Sequence, residues 1–239
     1  MDPMASLKDA RSHLLALPEL IDIYLDDEYR DGLQALISRF NEFFNIVASV
    51  NLRADENRRI EADEATKISD HGFVLLLKLI DLMEKLDLPH RRRELEQISL
   101  IFARWTVSFH GRINYLEPVV NAIAQLANLL QDKQALMTLS NLIADIVYHC
   151  PAELKVADTR SDNYRAWQLL HFNRGIIAVR SHDPDIMRLA FEEYLEYLPL
   201  EANGFFAEGM KKMDSAEYPN HIQEVLEFYF RQQASQHLH

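Results

Sequence analysis

Residues 181–210 read SHDPDIMRLAFEEYLEYLPLEANGFFAEGM, and this stretch decides the fold class. Asp183 has the side chain of a helix N-cap, and Pro184 suits the first helical position because its missing N–H needs no partner there. Apolar residues then recur at spacings of three and four, which predicts a helix with one buried face. Pro199 begins a further helix in the same way. The stretch therefore predicts two consecutive helices joined by a short turn.

Prolines that precede a predicted helix recur along the chain. Six of the eight prolines directly precede an apolar stripe of helical spacing, namely Pro18, Pro89, Pro118, Pro184, Pro199 and Pro219. The chain has only 6 glycines in 239 residues. No segment shows the alternation of polar and apolar residues that is typical of a strand. The sequence therefore predicts an all-α protein.

The predicted helices fall into antiparallel pairs of similar length. The pairs cover about 69–110, 112–150, 161–198 and 199–236. Units of roughly this length are typical of HEAT and tetratricopeptide (TPR) solenoids, in which helix pairs stack on one another. We expect an irregular α-solenoid of this kind. Because no repeated consensus accompanies the spacing, an irregular helical bundle is the alternative.

Two polar segments bear on the domain organisation. We expect 1–239 to form a single all-helical domain, and any subdivision to fall in the polar linker 152–163. The segment 51–67 is dense in Arg, Glu and Asp, and it either extends the preceding helix or forms a loop. The next helix is expected to begin near Ser69 or Asp70, since both side chains are suitable N-caps.

Charge and composition exclude several classes of partner. The formal net charge is −12, which argues against nucleic-acid binding because such binding needs clustered basic groups. Cys150 is the single cysteine, so no intrachain disulfide can form. Apolar runs such as 73–77 are too short to span a membrane, and the N-terminus shows no apolar leader segment. We expect a cytoplasmic protein that binds neither nucleic acid nor membranes.

No motif for catalysis or metal binding is present in the sequence. The Glu-x-x-His pairs of helical di-iron sites, the His-Glu-x-x-His zinc motif and the glycine-rich phosphate loops are all missing. Cys150 and His149 are neighbours on a predicted helix and point about 100° apart, so they do not form a nucleophile–base pair. We therefore expect no catalytic, metal-binding or cofactor-binding residues and no cofactor.

Two segments share one arrangement of side chains. In each, an arginine follows a tryptophan by seven residues, two helical turns, with a histidine between them. The residues are Trp105, His110 and Arg112 in the first segment, and Trp167, His171 and Arg174 in the second. An aromatic ring with Arg and His on one helix face suits a peptide or an anion. The alternative is that each tryptophan anchors the core and each arginine pairs with a carboxylate.

These observations favour a non-catalytic adaptor or scaffold that binds a protein or peptide through those six residues. One alternative is a helical enzyme or ligand sensor, with an anion pocket formed by His171 and Arg174 between the two halves. Another is a homodimer through the aromatic C-terminal helix pair. That pair contains Phe205, Phe206, Tyr218, Phe228, Tyr229 and Phe230.

Overall fold

The computed structural model describes residues 6–155, 162–215 and 218–236. These residues form helices joined by short connections and contain no strand, which confirms the all-α class. Their α-helices are α1 (Leu7–Ile21), α2 (Asp27–Asp55), α3 (Ala62–Lys85), α4 (Pro89–Ser108), α5 (Leu116–Leu129), α6 (Lys133–His149), α7 (Ala152–Lys155), α8 (Asp162–Ser181), α9 (Pro184–Tyr197), α10 (Pro199–Ser215) and α11 (Asn220–Gln236). A 3₁₀ turn, Asp22–Tyr24, lies between α1 and α2.

Side-chain caps and prolines begin several of these helices. Asp183 accepts hydrogen bonds from the backbone N–H groups of Asp185 and Ile186 at 2.9 and 3.0 Å, and Pro184 is the first residue of α9. The predicted cap and proline of this helix are therefore confirmed. At the start of α1, the Ser6 hydroxyl and the Asp9 carboxylate each accept a hydrogen bond from the other residue's backbone N–H, forming a capping box.

The expected start of α3 near Ser69 or Asp70 is wrong. α3 begins two turns earlier, at Ala62, and Ser69 lies inside the helix and is buried. The Ser69 hydroxyl accepts a hydrogen bond of 2.5 Å from Thr106 Oγ1 on α4. A residue type that often caps helices here serves as a polar contact between two helices instead.

The charged segment 51–67 contains both predicted alternatives, an extension of the preceding helix and a loop. Helix α2 extends into it as far as Asp55, and α3 begins within it at Ala62. The residues between them, 56–61, lie outside any helix. Asn57 has a φ of 58°, which marks the point where the chain leaves α2.

The chain divides into two compact units. Unit 1 comprises residues 1–122 and 148–151, and unit 2 comprises residues 123–147 and 152–239. In the predicted linker 152–163, α7 occupies the first four residues and α8 begins at Asp162, while 156–161 lie outside the described residues. A single domain with a subdivision in this linker stays a prediction.

Unit 1 is built on an aromatic core between α2, α3 and α4. The ring centroid of Phe102 lies 5.0 Å from that of Phe43 and 6.0 Å from that of Phe73. Gly72 allows this approach, because a Cβ atom at that position would lie 2.6 Å from Phe43 Cζ. The three helices are thus held together by rings that leave no room for a further methyl group.

Unit 2 has a second aromatic core, in which α9, α10 and α11 meet. The rings of Phe191 and Phe206 are 5.1 Å apart, and Phe206 stacks on Tyr229 at 5.9 Å. All three side chains are 5% exposed or less. Helix α8 packs on α9 and so is held against this core.

Candidate functional site

The first predicted segment lies in unit 1 and is split by the end of α4. Trp105 is 7% exposed, and its Nε1 donates a hydrogen bond of 2.9 Å to Asn51 Oδ1 on α2. α4 ends at Ser108, and His110 has a positive φ of 59°. Arg112 therefore does not continue the helical face of Trp105, and the helical spacing expected for this segment is wrong.

His110 and Arg112 lie on the surface of unit 1. The His110 ring stacks against the ring of His149 with 6.0 Å between centroids. Arg112 Nη2 lies 3.7 Å from Asp63 Oδ1, and both side chains are more than half exposed. An ion pair that is this exposed to water contributes little to stability. The side chains of Arg112 and Asp63 are therefore accessible to an outside group.

The second predicted segment lies in unit 2 and is helical, as expected, but it is buried. Trp167, His171 and Arg174 all belong to α8 and are 0%, 1% and 4% exposed. The ring of His171 lies 4.3 Å from that of Trp167, edge to face, and 5.3 Å from that of Tyr197. This face of α8 therefore packs inside unit 2.

Arg174 forms an ion pair with Glu193 of α9. Burial lowers the pKa of the Arg174 guanidinium to about 10, so the group remains charged at neutral pH. The Glu193 side chain is 30% exposed and supplies the opposite charge. The pairing of Arg174 with a carboxylate is the alternative that the sequence left open for these arginines. Partner binding by the six residues stays a prediction.

The aromatic C-terminal pair divides into buried and exposed members. Phe206 and Tyr229 belong to the core of unit 2, whereas Phe228 is 63% exposed on α11. Glu224 and Glu227 lie four residues and one residue before Phe228, and Glu227 pairs with Arg231. The exposed part of α11 thus includes one aromatic ring with two carboxylates and one guanidinium beside it, together with His221 and Gln232.

α8 carries a second apolar stripe that the sequence analysis did not separate from the first. Its residues follow one another at spacings of three, four and three: Leu169, Phe172, Ile176 and Val179. Leu169 is 40% exposed and Phe172 is 37% exposed. A helix that is apolar on both faces is normally buried on both. The spacing was visible in the sequence, but which of the two faces is covered depends on tertiary packing.

This second stripe forms one wall of an apolar cavity of about 220 Å³ within unit 2, which we call the α8–α10 groove. Its apolar walls come from α8, α10 and α11, and include Phe172, Ile176, Val179, Phe205, Met213 and Leu226. Among the described residues, the charged side chains that line it are Arg180, Glu208 and Lys212. The groove thus combines apolar walls with two cations and one carboxylate.

Phe205 shapes the base of the α8–α10 groove. Its ring stacks on Tyr194 with 4.5 Å between centroids and lies directly over Gly175 of α8, where a Cβ atom would collide with it. Phe172 meets the same ring edge to face at 5.7 Å. Since Phe205 is held from two sides, the groove is a preformed feature of the fold.

Arg180 is fixed at one end of the groove. Its guanidinium donates hydrogen bonds to the carbonyl oxygens of Ala127 and Leu130, the latter at 2.6 Å. These carbonyls lie at the C-terminal end of α5, where backbone acceptors lack partners within the helix and cations are favoured. The positive charge of Arg180 is therefore held in place beside the apolar walls.

The described parts of the chain contain no cluster of three or more His, Cys, Asp or Glu side chains arranged to hold a metal ion. Within the same parts, no helix combines the length and the apolar character needed to cross a membrane. No family model matches the chain, and comparisons with curated proteins and with solved structures give no match. A proposal about function therefore depends on the all-α fold and the α8–α10 groove.

Proposed function

We propose that the protein is a non-catalytic adaptor or scaffold that binds a helix of a partner protein in the α8–α10 groove. The observation that carries this proposal is the half-exposed second stripe of α8. Its spacing matches the apolar face of a helix, and three of its residues, Phe172, Ile176 and Val179, line a preformed apolar cavity. Grooves of this kind receive the apolar face of an amphipathic helix in many complexes.

The energetic centre of this contact is Phe172. Large aromatic side chains that become fully buried at an interface often carry much of its binding energy. The ring of Phe172 is 37% exposed, so covering it removes further apolar surface from water. Because Phe205 already holds one edge of the ring, little side-chain freedom is lost on binding.

The proposal includes an arrangement of the helices as an irregular HEAT- or TPR-like α-solenoid. Within unit 1, α1 packs on α2, α2 on α3, and α3 on α4, so most contacts join helices that are neighbours in sequence. In unit 2, helices that are neighbours in sequence also pack on one another, α8 on α9 and α10 on α11. α1 also packs on α4, as in a bundle, which is why the solenoid is proposed as irregular.

We also propose a cytoplasmic location. The supporting observation is the single cysteine, Cys150, which excludes an intrachain disulfide in a chain of this length. Disulfides are common in proteins of oxidising compartments and rare in the reducing cytosol, so a lone thiol is typical of a cytosolic chain.

The groove proposal is tested with Phe172→Ser and a matched control, Leu189→Ser. Leu189 is 58% exposed on α9 and does not line the groove. Proteins captured from cell extract by the unaltered chain are purified and titrated against both variants by calorimetry. We expect Phe172→Ser to weaken the partner's binding at least about tenfold, about 1.4 kcal/mol, and Leu189→Ser to change it less than about twofold. Equal affinities for both variants would refute docking in the groove.

A further inference from the structure

The α8–α10 groove and the exposed face of α11 match in size and in the balance of their charges. A cavity of about 150 Å³ lined by aliphatic and aromatic side chains holds a benzene molecule. The groove, at about 220 Å³, therefore has room for a phenylalanine ring. Phe228 is the most exposed phenylalanine ring among the described residues, at 63%. The same molecule thus carries an apolar cavity and an exposed aromatic ring that fits it.

Cations are in excess beside the α8–α10 groove, whereas carboxylates are in excess around Phe228. The groove is lined by Arg180, Lys212 and Glu208, two cations and one carboxylate. The described charged side chains that line the surface around Phe228 are three carboxylates and two guanidiniums, with one histidine beside them: Glu192, Glu224, Glu227, Arg188, Arg231 and His221. The formal net charge of −12 opposes self-association over long distances, but salt at physiological strength screens charges separated by more than about 8 Å. The local charges at the contact therefore decide which surfaces meet.

We propose that α11 of a second copy of this chain docks in the α8–α10 groove, with Phe228 as the anchor that enters the cavity. The inference uses the groove of the proposed function but names a different occupant, the chain itself. Groove and anchor are different surfaces, so each copy offers one of each and the contact is heterologous. A chain of copies then grows head to tail and is not limited to two. It differs in this from a symmetric homodimer through the C-terminal helix pair.

The proposal is tested by sedimentation velocity on purified full-length chain at rising concentrations. The average mass is expected to rise steadily from the monomer value of 27.8 kDa without levelling at twice that value. Phe172→Ser, which damages the groove, and Phe228→Ser, which removes the anchor, are each expected to stay at the monomer mass. Leu189→Ser changes an apolar residue that is 58% exposed and lines neither surface, and it is expected to associate like the unaltered chain. Circular dichroism checks that all variants are folded.

Mixing the two defective variants gives the decisive result. The Phe228→Ser chain keeps its groove and the Phe172→Ser chain keeps its anchor, so an equimolar mixture is expected to form one heterodimer and nothing larger. A mixture that remains monomeric, or an unaltered chain that stays monomeric or stops at a dimer, would overturn the proposal. Those outcomes leave the titration of a foreign partner against Phe172→Ser unaffected, so the two proposals fail separately.

Discussion

A chain that carries Phe102→Ala is expected to lose about 3–5 kcal/mol of the unfolding free energy of unit 1. The Phe102 side chain is 1% exposed. Its ring lies within 6.0 Å of the rings of both Phe43 and Phe73, and so joins α4 to α2 and α3. Alanine removes the ring and leaves a cavity. The surrounding rings already pack closely enough to exclude a methyl group at Gly72, so they have little freedom to fill it.

Urea denaturation followed by tryptophan fluorescence measures this loss in unit 1 alone. The chain has two tryptophans, Trp105 in unit 1 and Trp167 in unit 2. In a Trp167→Phe background, Trp105 is the remaining tryptophan and reports on unit 1. Leu52→Ala is the matched control, since this residue of α2 in unit 1 is 64% exposed, and a change below about 0.5 kcal/mol is expected for it. Similar losses for the two variants would contradict the assignment of Phe102 to the core.

Glu193→Gln is expected to lower the unfolding free energy of unit 2 by about 2–4 kcal/mol. The substitution preserves the shape of the side chain but removes the charge that faces Arg174. Because Arg174 is 4% exposed, its guanidinium would then remain buried without a counter-charge. Arg174→Met is expected to cost less, because the Glu193 side chain that it leaves behind is 30% exposed and its carboxylate can turn toward water.

The test is whether Glu193→Gln lowers the unfolding free energy of unit 2 more than Arg174→Met does. Both variants are unfolded in urea in a Trp105→Phe background, where Trp167 reports on unit 2. The double variant, Glu193→Gln with Arg174→Met, is expected to be more stable than Glu193→Gln alone, since no buried charge remains. If Glu193→Gln proves no more destabilising than Arg174→Met, the buried guanidinium does not depend on Glu193.

Local chemistry explains why the helices were predictable from the sequence. The cap of Asp183 and the ring of Pro184 act within one turn, so their effect is the same in any tertiary context. Ser69 shows the limit of this reasoning, because its hydroxyl meets Thr106, a residue 37 positions away. The helical spacing expected for Trp105, His110 and Arg112 failed at the end of α4, where the chain turns. His110 adopts a positive φ although it is not a glycine, and Gly111 follows it with its N–H donating to the carbonyl oxygen of Thr106. The turn therefore falls between Trp105 and Arg112 and breaks their helical spacing.

The candidate site was harder to predict than the fold. The sequence placed Trp167, His171 and Arg174 correctly on one helix face, but it did not show that this face packs inside unit 2. The half-exposed stripe through Phe172 lies on the same helix, and both stripes have helical spacing. Only the packing of α8 on α9 shows which stripe is covered. Exposure, rather than periodicity, therefore identifies the groove.

Methyl NMR spectra of the chain, recorded with and without a purified partner protein, test the groove most directly. Ile176 and Met213 supply methyl groups on opposite walls of the α8–α10 groove, and Leu189 on α9 supplies methyl groups outside it. Docking of a partner helix in the groove predicts large shifts for Ile176 and Met213 and none for Leu189. Unchanged signals from Ile176 and Met213 in a saturated complex would contradict the account.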